Sequence, residues 1–71
     1  MIPVKKYIAE QFLHKKFRFT CECIIPIDVI GFVNDYELTN NEIILIVTDN
    51  KSGKIIHIGL NAPSLQIESL N

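Results

Sequence analysis

Two periods of hydrophobic residues follow one another along this chain, and the first predicts an α-helix. Over residues 3–15, apolar side chains recur at Val4, Ile8 and Phe12, which is the spacing of one face of a helix. Pro3 suits the first turn of a helix, where its missing N–H would have no partner in any case. The pattern therefore predicts a short N-terminal helix over residues 3–15.

From residue 17 onward the period shortens to two, which predicts strands. Residues 17–23 alternate apolar and polar side chains, as in a strand with one buried face. Pro26 then interrupts the pattern, so we expect an edge, a bend or a loop there. We predict a mainly β single domain over residues 1–71, in which the helix is followed, over 17–70, by a five-stranded antiparallel sheet that is strongly bent or forms a small barrel. Its last strand covers residues 65–68.

Two turns predict how the middle of the chain folds back on itself. Asn40 and Asn41 separate two strand-like segments, and because asparagine tolerates positive φ we expect a two-residue hairpin turn there. A second hairpin closes over the four residues 50–53. The two turns set a register whose facing pairs include Leu38–Ile43, Tyr36–Leu45, Asn34–Val47, Val47–Ile56, Leu45–Ile58 and Ile43–Leu60.

This register gives the meander two faces of different character. The inner face is nearly all apolar, and a shift of one residue would scramble it, which favours the register; its members are Tyr36, Leu38, Ile43, Leu45, Val47, Ile56, Ile58 and Leu60. The outer face mixes apolar and polar side chains. Three coverings remain open for its isoleucines: the N-terminal helix, another chain, or solvent. We predict a partner-binding surface made of Val33, Ile44, Ile46, Ile55 and His57.

Composition and charge argue against several classes of protein. With 71 residues, 48% of them hydrophobic, the chain has the composition of one small folded domain. Its net charge of −1 gives no general attraction to phosphate backbones, and no apolar run reaches the roughly 20 residues of a membrane span. The N-terminus lacks the apolar core of a signal peptide, so we expect a cytoplasmic protein whose two cysteines are reduced.

The residues capable of catalysis or metal binding do not combine into a known type of site. Cys21 and Cys23 share a strand face, but a zinc site would need two more ligands, and only His14 and His57 could supply them. His57 would lie two strands from Asp35, roughly 10 Å away, with no serine or cysteine nucleophile beside them. We therefore expect that the protein is not an enzyme and binds no cofactor and no metal.

Two segments resemble the motifs of the Sm-like small barrels. Gly31-x-Val33-x-x-Tyr36-Glu37-x-x-x-Asn41 is similar to the first Sm motif, and Ile58-Gly59-x-Asn61 is similar to part of the second. Ile58 stands where the second motif has an arginine. A short helix followed by five strands is also the element order of the Sm-like and Src-homology-3-like folds. The resemblance implies a small-barrel topology over most of residues 4–70, and RNA as a partner.

Three functions remain open from the sequence. The first is a non-enzymatic interaction module that binds another protein or itself through an apolar sheet face or an edge strand, as an adaptor, inhibitor or assembly subunit. The second, implied by the resemblance, is an Sm-like barrel that binds RNA through Asn41, Asn61 and basic residues near the N-terminus; these are Lys5, Lys6, Lys15, Lys16 and Arg18. The third is a structural subunit of a phage or mobile-element assembly, which the Ile-, Lys- and Asn-rich composition favours.

Overall fold

The computed structural model describes residues 4–22 and 26–70, which form one short helix and five strands. Helix α1 spans Val4–Glu10, and the strands span Lys16–Cys21 (β1), Ile27–Leu38 (β2), Ile43–Asp49 (β3), Ile55–Gly59 (β4) and Gln66–Ser69 (β5). All five strands belong to one antiparallel sheet in the order β4-β3-β2-β1-β5. The mainly β, five-stranded antiparallel fold is confirmed. Among the described residues, β4 and β5 are the two edge strands and do not pair with each other, so the sheet does not close into a barrel.

The helix is shorter than the predicted 3–15 because the chain tightens after Glu10. Gln11, Phe12 and Leu13 each donate their backbone N–H to the carbonyl three residues earlier, which is the pattern of a 3₁₀ turn. His14 then adopts a positive φ of 60° and donates its N–H to the carbonyl of Val33. This reversal leads the chain into β1. The predicted start at Pro3 lies outside the described residues.

The core lies on the inner face of the sheet, and the helix packs against that face. Ala9 is fully buried, and Phe12 and Leu13 pack against the same cluster, whose members are Ala9, Phe17, Phe19, Val33, Ile43, Leu45, Val47 and Ile58. Burial of an apolar side chain of this size contributes about 1.5–3 kcal/mol, so this cluster dominates the stability of so small a domain. Of the three coverings left open for the outer isoleucines, the helix is excluded.

Both predicted hairpins form with the expected register next to their turns. The observed pairs include Leu38–Ile43 and Tyr36–Leu45 in the β2–β3 hairpin, and Val47–Ile56 and Leu45–Ile58 in the β3–β4 hairpin. In the first turn the hydroxyl of Thr39 accepts the backbone N–H groups of Asn41 and Glu42. Neither Asn40 nor Asn41 is among the described residues with positive φ. The turn was therefore predicted correctly, for a conformational reason that is wrong.

A bulge in β2 ends the predicted register at Asn34. Val47 pairs with Val33 instead of Asn34, and the next pair toward the turn is Asp35–Ile46. The extra residue reverses the alternation of side chains, so Val33 points inward and is fully buried. The predicted position of Val33 on the outer face is therefore wrong, and its side chain has no exposed surface for a partner. Its neighbour Phe32 takes the outward position and is 39% exposed.

Candidate interaction surface

The outer face of the sheet is organised in rows of side chains from neighbouring strands, with β3 in the middle of each row. Ile44, Ile46 and Thr48 of β3 are partly buried there. The register places Ile44 between Glu37 and Gly59, Ile46 between Asp35 and His57, and Thr48 between Phe32 and Ile55. Residues opposite each other on one face of a sheet have Cβ atoms about 5 Å apart, so each row is a continuous contact.

Large apolar side chains on this face keep much of their surface exposed. The exposed fraction is 65% for Ile55, 39% for Phe32 and 37% for Ile30. Single exposed apolar residues are ordinary on protein surfaces, whereas adjoining ones are typical of binding sites. We refer to this surface as the outer patch; it consists of Ile30, Phe32, Ile44, Ile46 and Ile55.

Polar side chains surround the outer patch, and two pairs of them are hydrogen-bonded within the chain. Arg18 donates two hydrogen bonds to the carboxylate of Asp28, Nε to Oδ1 at 3.0 Å and Nη2 to Oδ2 at 2.8 Å. The hydrogen bond from Arg18 is the main cause that lowers the pKa of Asp28, so the carboxylate stays ionised at neutral pH. Both side chains are about half exposed, and such a pair stabilises a fold only weakly. At the bulge, the side-chain amide of Asn34 donates to the hydroxyl of Thr48.

The structure brings four of the five predicted partner-binding residues together. Ile44, Ile46, Ile55 and His57 share the outer face, and Val33 lies on the other side of the sheet. The sequence reasoning missed Ile30 and Phe32 because it carried the hairpin register through Asn34 without a bulge. Asparagine is a poor strand former, so its position between two strand-like stretches is the one local signal that could have shown the bulge.

The predicted nucleic-acid contacts fall into separate groups along the sheet. Lys5 donates through Nζ to the carbonyls of Thr39 and Asn40, at 3.1 and 2.7 Å, and is therefore tied to the β2–β3 turn. Lys16 lies opposite Phe32. Roughly 20 Å of β2 separates these two places, because a strand rises about 3.3 Å per residue. Lys6 and Lys15 are exposed, while Arg18 is paired with Asp28.

The two motif-like segments meet at one end of the sheet. The side-chain amide of Asn61 donates a hydrogen bond of 2.5 Å to the backbone carbonyl of Asn41. Beside them, the carboxylate of Glu42 lies over Gly59, with Oε2 at 2.6 Å from the place where a Cβ would stand. The asparagine pair predicted from the resemblance is thus close in space, although it lies apart from most of the lysines.

Cys21 is buried beneath the turn that precedes β5 and is disulfide-bonded. Its sulfur lies 3.3 Å from the carbonyl oxygen of Pro63. The expectation of a reduced thiol at this position is wrong, and Cys23 lies outside the described residues. Across residues 4–22 and 26–70, no three His, Cys, Asp or Glu side chains form a group that could hold a metal ion.

Comparison of this chain with protein-family models, with curated proteins and with solved structures finds no match. The resemblance to the Sm-like family therefore gains no support from those comparisons. In the part of the chain that the structure describes, no helix combines the length and the apolarity needed to cross a membrane. The exposed side chains of the sheet, above all those of the outer patch, are therefore the features that bear on function.

Proposed function

We propose that this protein is a non-enzymatic interaction module that binds another protein, or a second copy of itself, through the outer patch. One observation carries the proposal: large apolar side chains stand exposed on the outer face, while the helix and the core occupy the inner face. The ring of His14 lies beside that of Phe32, with centroids 6.3 Å apart, whereas Ile55 remains 65% exposed. A partner would supply the covering that the chain itself supplies to the inner face.

The outer patch has the anatomy of a binding surface of modest size. Apolar side chains make up most of its area, with Thr48 between Phe32 and Ile55, and its border holds polar groups such as Asp35 and His57, as in many protein interfaces. Burying a side chain such as Ile55 contributes about 1.5–3 kcal/mol relative to leaving it in water. A few such residues at the centre of an interface commonly supply most of its binding energy.

A site-specific photo-crosslinker tests this proposal in the source cell. We expect a crosslinker at Ile55 to capture a partner, and one at Val4, which is 73% exposed on the helix, to capture none. The affinity of the purified partner, or of the chain for itself, is then measured with Ile55→Glu and with the matched control Val4→Glu. Ile55→Glu should weaken binding at least tenfold, about 1.4 kcal/mol, and the control should not. Equal affinities for the wild-type chain and Ile55→Glu would refute the proposal.

A second candidate, an Sm-like module that binds RNA, is favoured by one specific observation. The hydrogen bond from Asn61 to Asn41 brings together the two segments on which the resemblance rests. Binding to short RNA that weakens as salt rises, and that is reduced by Asn61→Ala, would support this candidate. Absence of binding at low salt would remove it.

A further inference from the structure

Strand β4 forms an edge of the sheet without the usual protection against pairing. Its sequence, IIHIG, contains no proline and no lysine, arginine, aspartate or glutamate. Its pairing with β3 is regular over residues 55–59, without a bulge. Monomeric proteins usually protect an edge with a charge, a proline or a bulge. The opposite edge, β5, differs because it carries Glu68 next to Arg18.

The hydrogen-bonding groups that this edge offers follow from the alternation of an antiparallel ladder. Leu60 donates its N–H to the carbonyl of Ile43, so the even-numbered residues of β4 bond to β3. The odd-numbered residues Ile55, His57 and Gly59 therefore direct their N–H and C=O groups away from β3. The carbonyl of Gly59 accepts a hydrogen bond from the next turn, and the other outward groups have no strand partner among the described residues.

We propose that two copies of the chain pair antiparallel through these groups, with His57 opposite His57 of the second copy. Ile55 then lies opposite Gly59 of the second copy, so all three outward residues are paired. A shift by two residues in either direction would leave one of them unpaired. The two sheets join across a twofold axis through His57. This inference rests on the proposed interaction role, and it names a second copy as the partner.

The side chains of β4 suit this register on both faces of the sheet. On the inner face, Ile56 lies opposite Ile58 of the second copy, so apolar side chains meet. On the outer face Gly59 has no side chain, and Ile55 of the second copy displaces only the flexible carboxylate of Glu42. The outer patches of the two copies are brought side by side, because Ile55 lies at the junction.

We expect this pairing to be weak and reversible. Two paired strands of five residues bury less surface than the roughly 1,200 Å² that a stable protein interface buries. Sedimentation equilibrium from about 10 µM to about 1 mM is the appropriate measurement. We expect the wild-type chain to approach twice its mass of 8.1 kDa and to go no further. A monomer at every concentration, or a mass that grows beyond two chains, would overturn the inference.

Proline substitutions at the two edges identify the strand that pairs. Ile55→Pro removes an outward N–H without removing a hydrogen bond to β3, and we expect it to weaken association at least tenfold. Ile67→Pro is the matched control, since Ile67 occupies the equivalent outward position of β5 and its substitution should leave association unchanged. Circular dichroism verifies that each variant folds; if Ile55→Pro does not, Ile55→Lys replaces it. Loss of association in both edge variants would indicate head-to-tail pairing of β4 with β5, which contradicts the inference.

A cysteine scan tests the register itself. Oxidation should link His57→Cys to its counterpart, because Cα atoms of a hydrogen-bonded pair lie about 5.5 Å apart, within the range of a disulfide. Ile55→Cys should not link to itself, since the two positions would be roughly 13 Å apart. Association that Ile46→Asp abolishes, with no link through His57→Cys, would overturn edge pairing while supporting the outer patch.

Discussion

The two faces of β3 carry similar residues in different surroundings. Leu45 and Val47 point inward and are fully buried, whereas Ile44 and Ile46 point outward and are only partly buried. Inside, the phenylalanines of β1 and the end of the helical segment complete a core. Outside, the ring of His14 lies beside Phe32, and Ile55 stays 65% exposed. Five successive apolar residues, 43–47, therefore indicate two apolar faces, and they do not indicate that the same chain covers both.

Deleting Asn34 together with Asp35 should break this difference most severely, because it reverses the face that the first half of β2 presents. With the hairpin register kept, the double deletion places Val33 opposite Ile46 and turns it outward, and it turns Phe32 inward. We expect loss of cooperative folding, since misplacing a fully buried residue and its half-strand exceeds the few kcal/mol that stabilise so small a domain.

Thermal melting followed by circular dichroism measures this effect. Deletion of Asn34 alone is the control, because it closes the bulge while Val33 stays opposite Val47, and it should melt cooperatively. A double-deletion variant that melts like the wild-type chain would contradict this expectation.

Truncating adjacent residues of β3 compares the two faces directly. Leu45→Ala should lower the free energy of unfolding by about 2–5 kcal/mol, because it leaves a cavity in the core. Ile46→Ala should cost about 1–2 kcal/mol, because that side chain already contacts water. Urea unfolding at low protein concentration gives both values. Equal costs would mean that the outer face is as well covered as the inner face.

Adding a methyl group at each of two glycines probes the space on the two faces. A Cβ at Gly31 would meet Val47 and the backbone carbonyl of Thr48, at 2.7 Å from its oxygen, so Gly31→Ala forces the backbone apart. We expect a cost of about 1–3 kcal/mol. Gly59→Ala meets only the movable carboxylate of Glu42 and should change stability by less than about 1 kcal/mol. Chemical unfolding of the two variants is the check, and a larger cost at Gly59 would be inconsistent with an open outer side.

The smallest expected effect on stability concerns Asp49, a carboxylate at the end of β3. The Ser52 hydroxyl, followed by the Lys51 backbone N–H, donates hydrogen bonds that lower the pKa of Asp49. Because the pKa of Asp49 is lower in the folded than in the unfolded state, its ionised carboxylate stabilises the fold. This stabilisation is complete above the unfolded pKa of about 4 and is lost as the pH falls through the folded pKa.

Asp49→Asn should therefore reduce stability at neutral pH and flatten the loss of stability below about pH 4. Urea midpoints measured across the acid range, with Asn50→Asp as a control that leaves Asp49 in place, give the slope. An unchanged acid slope in Asp49→Asn would show that this carboxylate is not held by the turn.

The sequence alone was sufficient wherever the decisive interactions are local. The alternation around Leu45 and Ile58, together with two short turns, predicts the β3–β4 register and the turn-proximal part of the β2–β3 hairpin. Turn geometry fixes the pairing within a few residues, and a one-residue shift would expose the apolar face. The same reasoning placed Ile44, Ile46, Ile55 and His57 on one surface.

Other features of the fold were determined only by the tertiary structure, because there nonlocal packing outweighs local conformational preference. The bulge at Asn34 arises where β2 must pair with β1 and β3 at once, so that Gly31 and Val33 both face the core. The helix ends before its last predicted turn because the N–H of His14 donates a hydrogen bond to the carbonyl of Val33. Burial of Ala9 in the core places the helix against the inner face. Whether a second apolar face is covered depends on which segments reach it, and this is set by the packing of distant residues that a local pattern does not contain.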